Sequence, residues 1–541
     1  MRNSRFLPAL VTAILVGALA GGLFGSNALA RQDRVAEKYS LFTTALSEIQ
    51  ANYVEKLPSD RLVYSAIDGM LKTLDPHSSF MDPRTYAQLR ERQEGRYYGL
   101  GISIVVIDGD ITVMSLFEGS PAYKKGIRRG DVISRIEGQD TKGWTTEQAV
   151  RKLRGPKGTS VNISLKRQGF EGLIDLAVQR DEISIPTVLG VFMVDQDTGY
   201  IRLRDFSETS DDELGRALEA LSAQGMKRLV LDLRDNPGGP LDQAIRVANR
   251  FLPRGQMIVY TRGRVQNASV DYRATEASQY TDLPVVVLVN RNTASASEIV
   301  SGALQDHDRA VIVGETTFGK ALVQSVYRIS MNAGLALTTG RYFTPSGRLI
   351  QRPWDHAFDE YLTYTLRDQP EGERPRQAAD LRYTDAGRKV YSGGGIEPDK
   401  HIAGPVEGFN PTRLSRSLYA RQMFENFAER FTAEGDTRIV APANAQNRRT
   451  VRRGFVVTDE MVAEFRQFLK DDRVKVDEGA FTKDVEFIRA MIKYQIDLAL
   501  FGIEEARRNL IARDPQAQVA LGLFSEAERL TAMARARAAA K

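Results

Sequence analysis

The chain has 541 residues, too many for one hydrophobic core, which seldom grows past roughly 250–300 residues. Apolar residues make up 42% of it and the net charge is only +5, from 74 basic against 69 acidic side chains, which excludes the dense basic footprint of a nucleic-acid binder. It contains no cysteine, so disulfides and thiolate chemistry are excluded as well.

The start is patterned for export. Arg2 and Arg5 precede an apolar run, Phe6–Leu23, and Ala28-Leu29-Ala30 supplies a small-x-small cleavage pattern. Residues 1–30 therefore read as a signal peptide or signal anchor. Either one places residues 31–541 in the periplasm, released or held at the inner membrane. Residues 31–94 are expected to be helical. Val35, Tyr39, Phe42, Leu46, Ile49 and Tyr53 alternate spacings of four and three, a narrow apolar seam that either packs on the same chain or pairs with another copy. Pro58 breaks the pattern. Val63, Ile67, Met70, Leu71 and Leu74 mark a second amphipathic helix, ended by Asp75-Pro76.

Residues 95–181 change character. Short β-rich runs appear at Gly101–Ile107, Ile111–Met114, Asp131–Ile136 and Val161–Lys166, with Asp108-Gly109-Asp110 as a hairpin signal and one helix over Thr146–Leu153. Tyr98-Gly99-Leu100-Gly101-Ile102 is a glycine-flanked apolar loop entering a strand. Its amides are placed to receive a chain-terminal carboxylate, and the strand edge to pair with a peptide. With Gly119-Ser120-Pro121-Ala122 and Gly130-Asp131-Val132-Ile133, this stretch resembles a PDZ domain.

Residues 182–404 alternate strands with helices, as an α/β core does. Arg228–Leu233, Leu283–Asn290 and Arg309–Gly314 are nearly continuous apolar runs, expected of strands covered on both faces. Helices are predicted over Asp211–Gln224, Leu241–Phe251 and Ala296–Leu304. Residues 405–541 turn helical again and carry no chemical motif.

The candidate chemistry lies in the α/β region. Ser295-Ala296-Ser297-Glu298 fits a helix capping box, serine at the N-cap and glutamate at N3. The same serine follows a buried strand and opens a helix, which puts its hydroxyl at the carboxyl edge of a sheet, where open α/β sheets bind ligands. The Ala296 amide at that helix start would face a developing oxyanion. Ser297 lies about 200° further round the helix, so only one of the two serines can face a given substrate. A serine nucleophile needs a base. His77, His307, His356 and His401 lie in no catalytic motif, and no H-E-x-x-H zinc motif is present. Lys320, after Thr317-Phe318-Gly319 and before the strand Leu322–Ile329, is the better candidate. Keeping it neutral requires its pKa lowered towards 7, roughly 4–5 kcal/mol of destabilised charge. Gln324 shares its strand face at i+4, where its amide can hold the amine without titrating. Asp232-Leu233-Arg234-Asp235-Asn236-Pro237-Gly238-Gly239 is a strand-to-helix turn whose glycines, Gly238 and Gly239, allow close backbone approach and amide donation.

Together these residues resemble the carboxy-terminal processing peptidases, also called tail-specific proteases. The likeness spans roughly residues 35–400 and takes in Asp75-Pro76-His77-Ser78, the PDZ landmarks, Arg154-Gly155, the Gly238-Gly239 turn, Ser295-Ala296-Ser297-Glu298-Ile299, Phe318-Gly319-Lys320, Gln324, Tyr342–Arg348 and Gly395–Asp399. One departure is Ala321, where the family usually has glycine. The resemblance implies an α/β crotonase-like protease core with an inserted β-rich PDZ domain and helical N- and C-terminal regions. The expected domains are 31–94 (helical, dimerising), 95–181 (PDZ), 182–404 (protease core) and 405–541 (helical, for oligomerisation or adaptor docking). It implies Ser295 as nucleophile, Lys320 as general base and Gln324 as orienter. The oxyanion hole would combine the Ala296 amide with one from Gly238 or Gly239. Tyr98, Gly99, Leu100, Gly101 and Ile102 are implied to hold apolar substrate C-termini, and Arg154 to couple the PDZ domain to the active site. No metal or cofactor is implied. Partners are expected to be protein substrates of the envelope, further copies of the chain and an extracytoplasmic adaptor, with no nucleic acid and with membrane association through the N-terminal segment. The alternative is a non-catalytic PDZ adaptor on a crotonase-like core, against which intact Ser295, Lys320 and Gln324 weigh. Coenzyme A chemistry on the same core is a third reading, for which a PDZ domain has no use.

Overall fold

The computed structural model describes residues 36–117, 119–167, 169–354, 361–363, 365, 377–402, 412–434 and 448–540. The expected export segment, residues 1–30, lies outside them, as does Val35. Among the described residues no helix is long and apolar enough to cross a membrane. The chain divides into two compact units, one running to Asp82 and including Val326–Ala336, the other made of Pro83–Ser325 and Leu337 onward.

In the first unit a helix over residues 36–52 precedes the helix Ser59–Leu71. The strand Ser79–Met81 pairs antiparallel with Gly334–Ala336. Between helix and strand, the Asp75 carboxylate accepts from the backbone N–H of His77 and Ser78, both at 2.8 Å, and from the Ser78 hydroxyl at 2.7 Å. That is the side-chain turn that Asp-Pro sequences favour. Among the described residues of the heptad-like seam, Tyr39, Phe42, Ile49 and Tyr53 remain 69, 46, 45 and 54% exposed, and Leu46 is half-buried.

In the second unit the PDZ region is entered through Arg96–Gly99 and left through Asp181–Ser184, which pair with each other as an antiparallel neck. Between them five strands follow in spatial order Ile102–Ile107, Asp110–Leu116, Val132–Ile136, Ser160–Lys166 and Ile174–Gln179. Asp108 and Gly109 both take positive φ (51° and 80°), the tight turn that matches strand twist. Ile111, Val113, Ile133, Ile136, Val161 and Leu165 alternate into the core. The helix Thr146–Leu153 starts at a capping box formed by Thr145 and Gln148.

The protease core is a six-stranded sheet in the order Val188–Met193, Thr198–Leu203, Arg228–Asp232, Val285–Val289, Ala310–Gly314, Lys400–His401. The first pair is antiparallel and the rest are parallel. Period-2 alternation divides the faces. Leu229, Leu231, Val285, Val287 and Ile312 meet the helices Ser210–Ala223, Leu241–Asn249 and Ala296–Asp306. Val230, Val286, Leu288, Val311 and Val313 meet the C-terminal helices through Ile511, Ala517, Ala520, Phe524, Ala527 and Leu530.

The helical residues expected over 405–541 fall in two separate cores. Residues between 412 and 501 form their own core around Phe424, Phe427, Phe465, Ile488 and Ile492. The helices Ile503–Ile511, Pro515–Leu521 and Phe524–Ala540 instead supply the outer layer of the protease sheet. The apolar runs at Arg228–Leu233 and Leu283–Asn290 require such a layer, because parallel strands are buried on both faces.

Candidate active site

Ser295 ends the segment after Val285–Val289 and caps the helix Ala296–Asp306 with φ 55° and ψ −114°. A non-glycine residue at that φ is strained, and such strain persists where surrounding contacts over-determine the backbone. Those contacts come mostly from Glu298. One of its carboxylate oxygens accepts from Thr317 Oγ1 at 2.5 Å and Gly319 N–H at 2.7 Å; the other accepts from Ser295 N–H at 2.8 Å and Lys320 N–H at 2.9 Å. One carboxylate thus ties the backbone of the candidate nucleophile to that of the candidate base. It is fully buried, and burial pushes its pKa from 4.5 up to about 7 although these four donors oppose the shift. Phe318 N–H donates to the Thr293 carbonyl at 2.9 Å and closes the same two segments from the other side.

A second clasp comes from Tyr342, whose buried hydroxyl lies 2.6 Å from the Lys320 carbonyl and 3.1 Å from the Ser295 carbonyl. Burial raises its pKa well above the ordinary tyrosine value, so it remains a donor. Lys320 is half-buried, and its Nζ donates to Gln324 Oε1 at 3.0 Å. Lys320 lies two residues before the strand Leu322–Arg328, and the extended run from it into the strand brings amine and amide to the same side. Ala321 is fully buried beside them.

The two serines have different surroundings. Ser297 is fully buried, and its hydroxyl donates to the Asn236 carbonyl at 3.2 Å. Ser295 is partly exposed at the helix start. The glycine turn packs against it. A Cβ on Gly238 (φ +92°) would stand 2.8 Å from Ala294 O, Ala296 N and Ser295 Cβ. A Cβ on Gly239 would stand 2.2 Å from the Phe206 carbonyl. Both positions exclude a side chain. The Gly238 N–H is engaged by Asn236 Oδ1 at 2.9 Å; among the described residues the N–H groups of Gly239 and Ala296 meet no backbone acceptor.

The turn hangs from a buried ion network. Arg234 pairs with Asp232 through two bonds, Nε–Oδ1 at 3.0 Å and Nη2–Oδ2 at 2.7 Å. Burial alone would raise the Asp232 pKa, but Arg234 and then Arg202 hold it well below the usual carboxylate range.

The PDZ groove runs between Ile102–Ile107 and Thr146–Leu153, about 200 Å³ in volume, with Leu100, Gly101, Ile102, Val150 and Arg154 among its lining. Tyr98 and Gly99, expected with them, do not line it. Strand alternation on Arg96–Gly99 turns Tyr97 to the groove and the Tyr98 hydroxyl towards Glu182, 3.4 Å away. Arg154 lies over the Tyr97 ring, 4.6 Å from its centroid, and pairs with Glu91. The neighbouring Arg92 pairs with Asp205 of the core at 2.8 Å, so the helix Pro83–Glu94 joins groove and core through adjacent side chains.

Sequence reasoning read Glu298 only as a cap and Tyr342 only as a motif landmark. Their acceptor and donor roles depend on segments distant in the chain, although a carboxylate at N3 behind a buried strand was a usable signal.

A strained serine at a helix start, a lysine held by a glutamine and a glycine turn packed against the serine are the parts that a serine peptidase of this layout needs, beside a PDZ-like groove. The comparisons agree. Residues 197–354 match the model for peptidase family S41, residues 88–166 that for the PDZ domain, and residues 25–85 that for the activating protease CtpB N-terminal domain. A carboxy-terminal-processing protease of Bartonella bacilliformis is 41% identical over 314 residues, covering 57% of this chain and 72% of the relative. Carboxy-terminal processing protease CtpA of Bacillus subtilis is 34% identical over 392 residues, covering 72% and 81%. A carboxyl-terminal-processing protease of a Synechocystis species is 39% identical over 311 residues, covering 56% and 72%. The chain belongs to the carboxy-terminal processing proteases, serine peptidases of family S41.

Proposed function

We propose that this protein takes the apolar C-termini of envelope proteins into its PDZ groove and cleaves them with Ser295 as nucleophile, Lys320 as general base and Gln324 as the orienter of the lysine, on a crotonase-like core. The observation that carries the choice of nucleophile is the contrast between Ser297, sealed and bonded to the Asn236 carbonyl, and Ser295, partly open and strained at the helix start. In the neutral form, the Lys320 amine takes the Ser295 proton as Oγ attacks the scissile carbonyl carbon. The carbonyl oxygen becomes an oxyanion facing the Ala296 N–H. Of the two turn glycines, Gly239 supports the second donor better, since the Gly238 N–H already has Asn236 as acceptor. The lysinium returns its proton to the leaving amine as the C–N bond breaks. Water, deprotonated by Lys320, then adds to the acyl carbon, the acyl–Oγ bond breaks, and the lysinium returns the proton to Ser295 Oγ. The Glu298 carboxylate and the Tyr342 hydroxyl keep the two backbones in register throughout.

Arg154 is read as the coupling residue, because it lies in the groove and pairs with Glu91, whose chain neighbour Arg92 pairs with Asp205 of the core. The exposed seam at Tyr39, Phe42, Ile49 and Tyr53 supports assembly into a dimer or larger oligomer. An extracytoplasmic adaptor docking on the helical tail, and an envelope location, released or membrane-anchored, complete the reading; the location rests on the sequence of residues 1–30. The test is cleavage of a protein ending in an apolar tag. Ser295→Ala and Lys320→Ala each abolish it, while Ser297→Ala, if folded, retains it. Full activity in either of the first two variants would remove the assignment.

A further inference from the structure

The Gly238-Gly239 turn is held at its root by the far end of the chain. Asp514 begins the helix Pro515–Leu521, where one carboxylate oxygen accepts from Gln516 N–H at 3.0 Å and Ala517 N–H at 3.3 Å. Its other oxygen is 2.6 Å from Arg234 Nη1. The same Nη1 donates to Gln516 Oε1 at 3.0 Å, and Gln516 Nε2 donates back to the Ile402 carbonyl at 3.2 Å. The opposite edge of the guanidinium is taken by Asp232, and the Arg234 carbonyl accepts from Arg202 Nη2 at 3.2 Å. Arg234 is therefore fixed on each side, and the tail supplies one of those sides.

The segment from Arg234 to the glycines has little freedom to absorb a shift. Asp235 sits at φ 59°. The buried Asn236 accepts from Ala294 N–H at 2.9 Å and Ser297 Oγ at 3.2 Å, and its amide donates to the Leu203 carbonyl at 2.8 Å. Two residues on, Gly238 lies so near Ser295 and the Ala296 amide that a Cβ there would stand 2.8 Å from each. A displacement of Arg234 passes through this braced turn to the position of the oxyanion donors.

We infer that Asp514, assisted by Gln516, is a positioning residue for the reaction: the C-terminal helices hold the glycine turn in register with Ser295, and proteolysis requires them docked. This rests on the reading of that turn as an oxyanion donor. Asp514 touches neither substrate nor Ser295; it acts through Arg234. The tail is thereby an element through which anything that binds or loosens the last 40 or so residues would alter turnover.

The test uses the full chain with Asp514→Asn, which removes the charge opposite Arg234 and keeps an oxygen for the helix cap. It also uses Asp514→Glu. The measured quantities are kcat and KM on a tagged substrate, and Ki for a peptide aldehyde, whose hemiacetal oxygen reports on the oxyanion site. Asp514→Asn is expected to lower kcat about 10- to 100-fold and to raise Ki by a similar factor, with KM changed less than about twofold. Asp514→Glu is expected to recover part of the loss. A folded Asp514→Asn variant with unchanged kcat and Ki, whatever its melting temperature, overturns the inference and leaves the tail a purely structural layer. A wild-type enzyme indifferent to the aldehyde overturns the reading of the turn, and this inference with it. If Asp514→Asn does not fold, Gln516→Leu, which leaves the cap carboxylate intact, carries the same comparison. A smaller fall in kcat with KM unchanged is then expected, and no fall overturns the inference.

Discussion

Glu298→Gln separates the capping role of this residue from its role as a clasp. The carboxylate accepts four donors, Ser295 N–H and Lys320 N–H on one oxygen, Thr317 Oγ1 and Gly319 N–H on the other. Glutamine is nearly the same size but offers one acceptor oxygen. Its NH2 must face one of the two donor pairs, so two hydrogen bonds become donor–donor contacts. Above about pH 7, where the carboxyl is ionised, hydrogen bonds to charged groups are worth about 1.5–3 kcal/mol each, so roughly 3–6 kcal/mol of local interaction is lost. Whichever pair is lost, a bond to Ser295 or Lys320, or to the Thr317–Gly319 turn that carries Lys320, is among them. A shift approaching 1 Å between the two groups costs on the order of 100-fold in kcat. The assay is kcat on a tagged substrate together with urea unfolding and its pH dependence. Because burial raises the carboxyl pKa from 4.5 to about 7, its contribution to stability is fully present below about 4.5 and is lost as pH rises through about 7. The wild type should show that decline and Glu298→Gln should not. A variant within about 1 kcal/mol of the wild type and with kcat within about threefold would refute the clasp.

Two further predictions follow from other parts of the structure. His307, at the C-terminal end of the Ser295 helix, has acceptors at both ring nitrogens: Asp385 Oδ2 at 2.8 Å from Nδ1 and the Met257 carbonyl at 2.7 Å from Nε2. Burial alone would lower its pKa, but Asp385 and that carbonyl favour the cation and hold it above 6.5. Its stabilisation is thus full below about 6.5 and lost as pH rises through the raised value, so the melting temperature should fall over that range in the wild type and less in His307→Gln. In the PDZ groove, Val150→Asp places a charge where an apolar C-terminus would lie. KM for a protein with an apolar tail should rise about tenfold or more with kcat little changed, and equal KM values would remove the groove from recognition.

Much of this was legible from local pattern. The runs at Arg228–Leu233 and Leu283–Asn290 are strands because unbroken β-branched and aliphatic stretches suit a doubly covered sheet, and the structure places them at Arg228–Asp232 and Val285–Val289. The helix expected over Thr146–Leu153 has those bounds in the structure, where Thr145 caps its start. The Lys320–Gln324 contact was legible because a strand repeats every second residue.

What sequence could not supply was anything set by contact between distant segments. The Tyr97 and Tyr98 side chains look interchangeable until the neck ladder fixes which one faces the groove. The outer helices Ile503–Ala540 read as a separate tail because their partners, Val230, Val286 and Val313, lie hundreds of residues earlier. The sequence alone singled out Ser295, Lys320 and Gln324 as the candidates for the chemistry, since a nucleophile, an amine and an amide are properties of residues. Only the tertiary structure decided how they are held: Glu298 and Tyr342 bridging two backbones, and Arg234 gripped by Asp514 from the opposite end of the chain. Hydrogen bonds and ion pairs across such separations depend on the packed fold and leave no periodic trace in the order of residues.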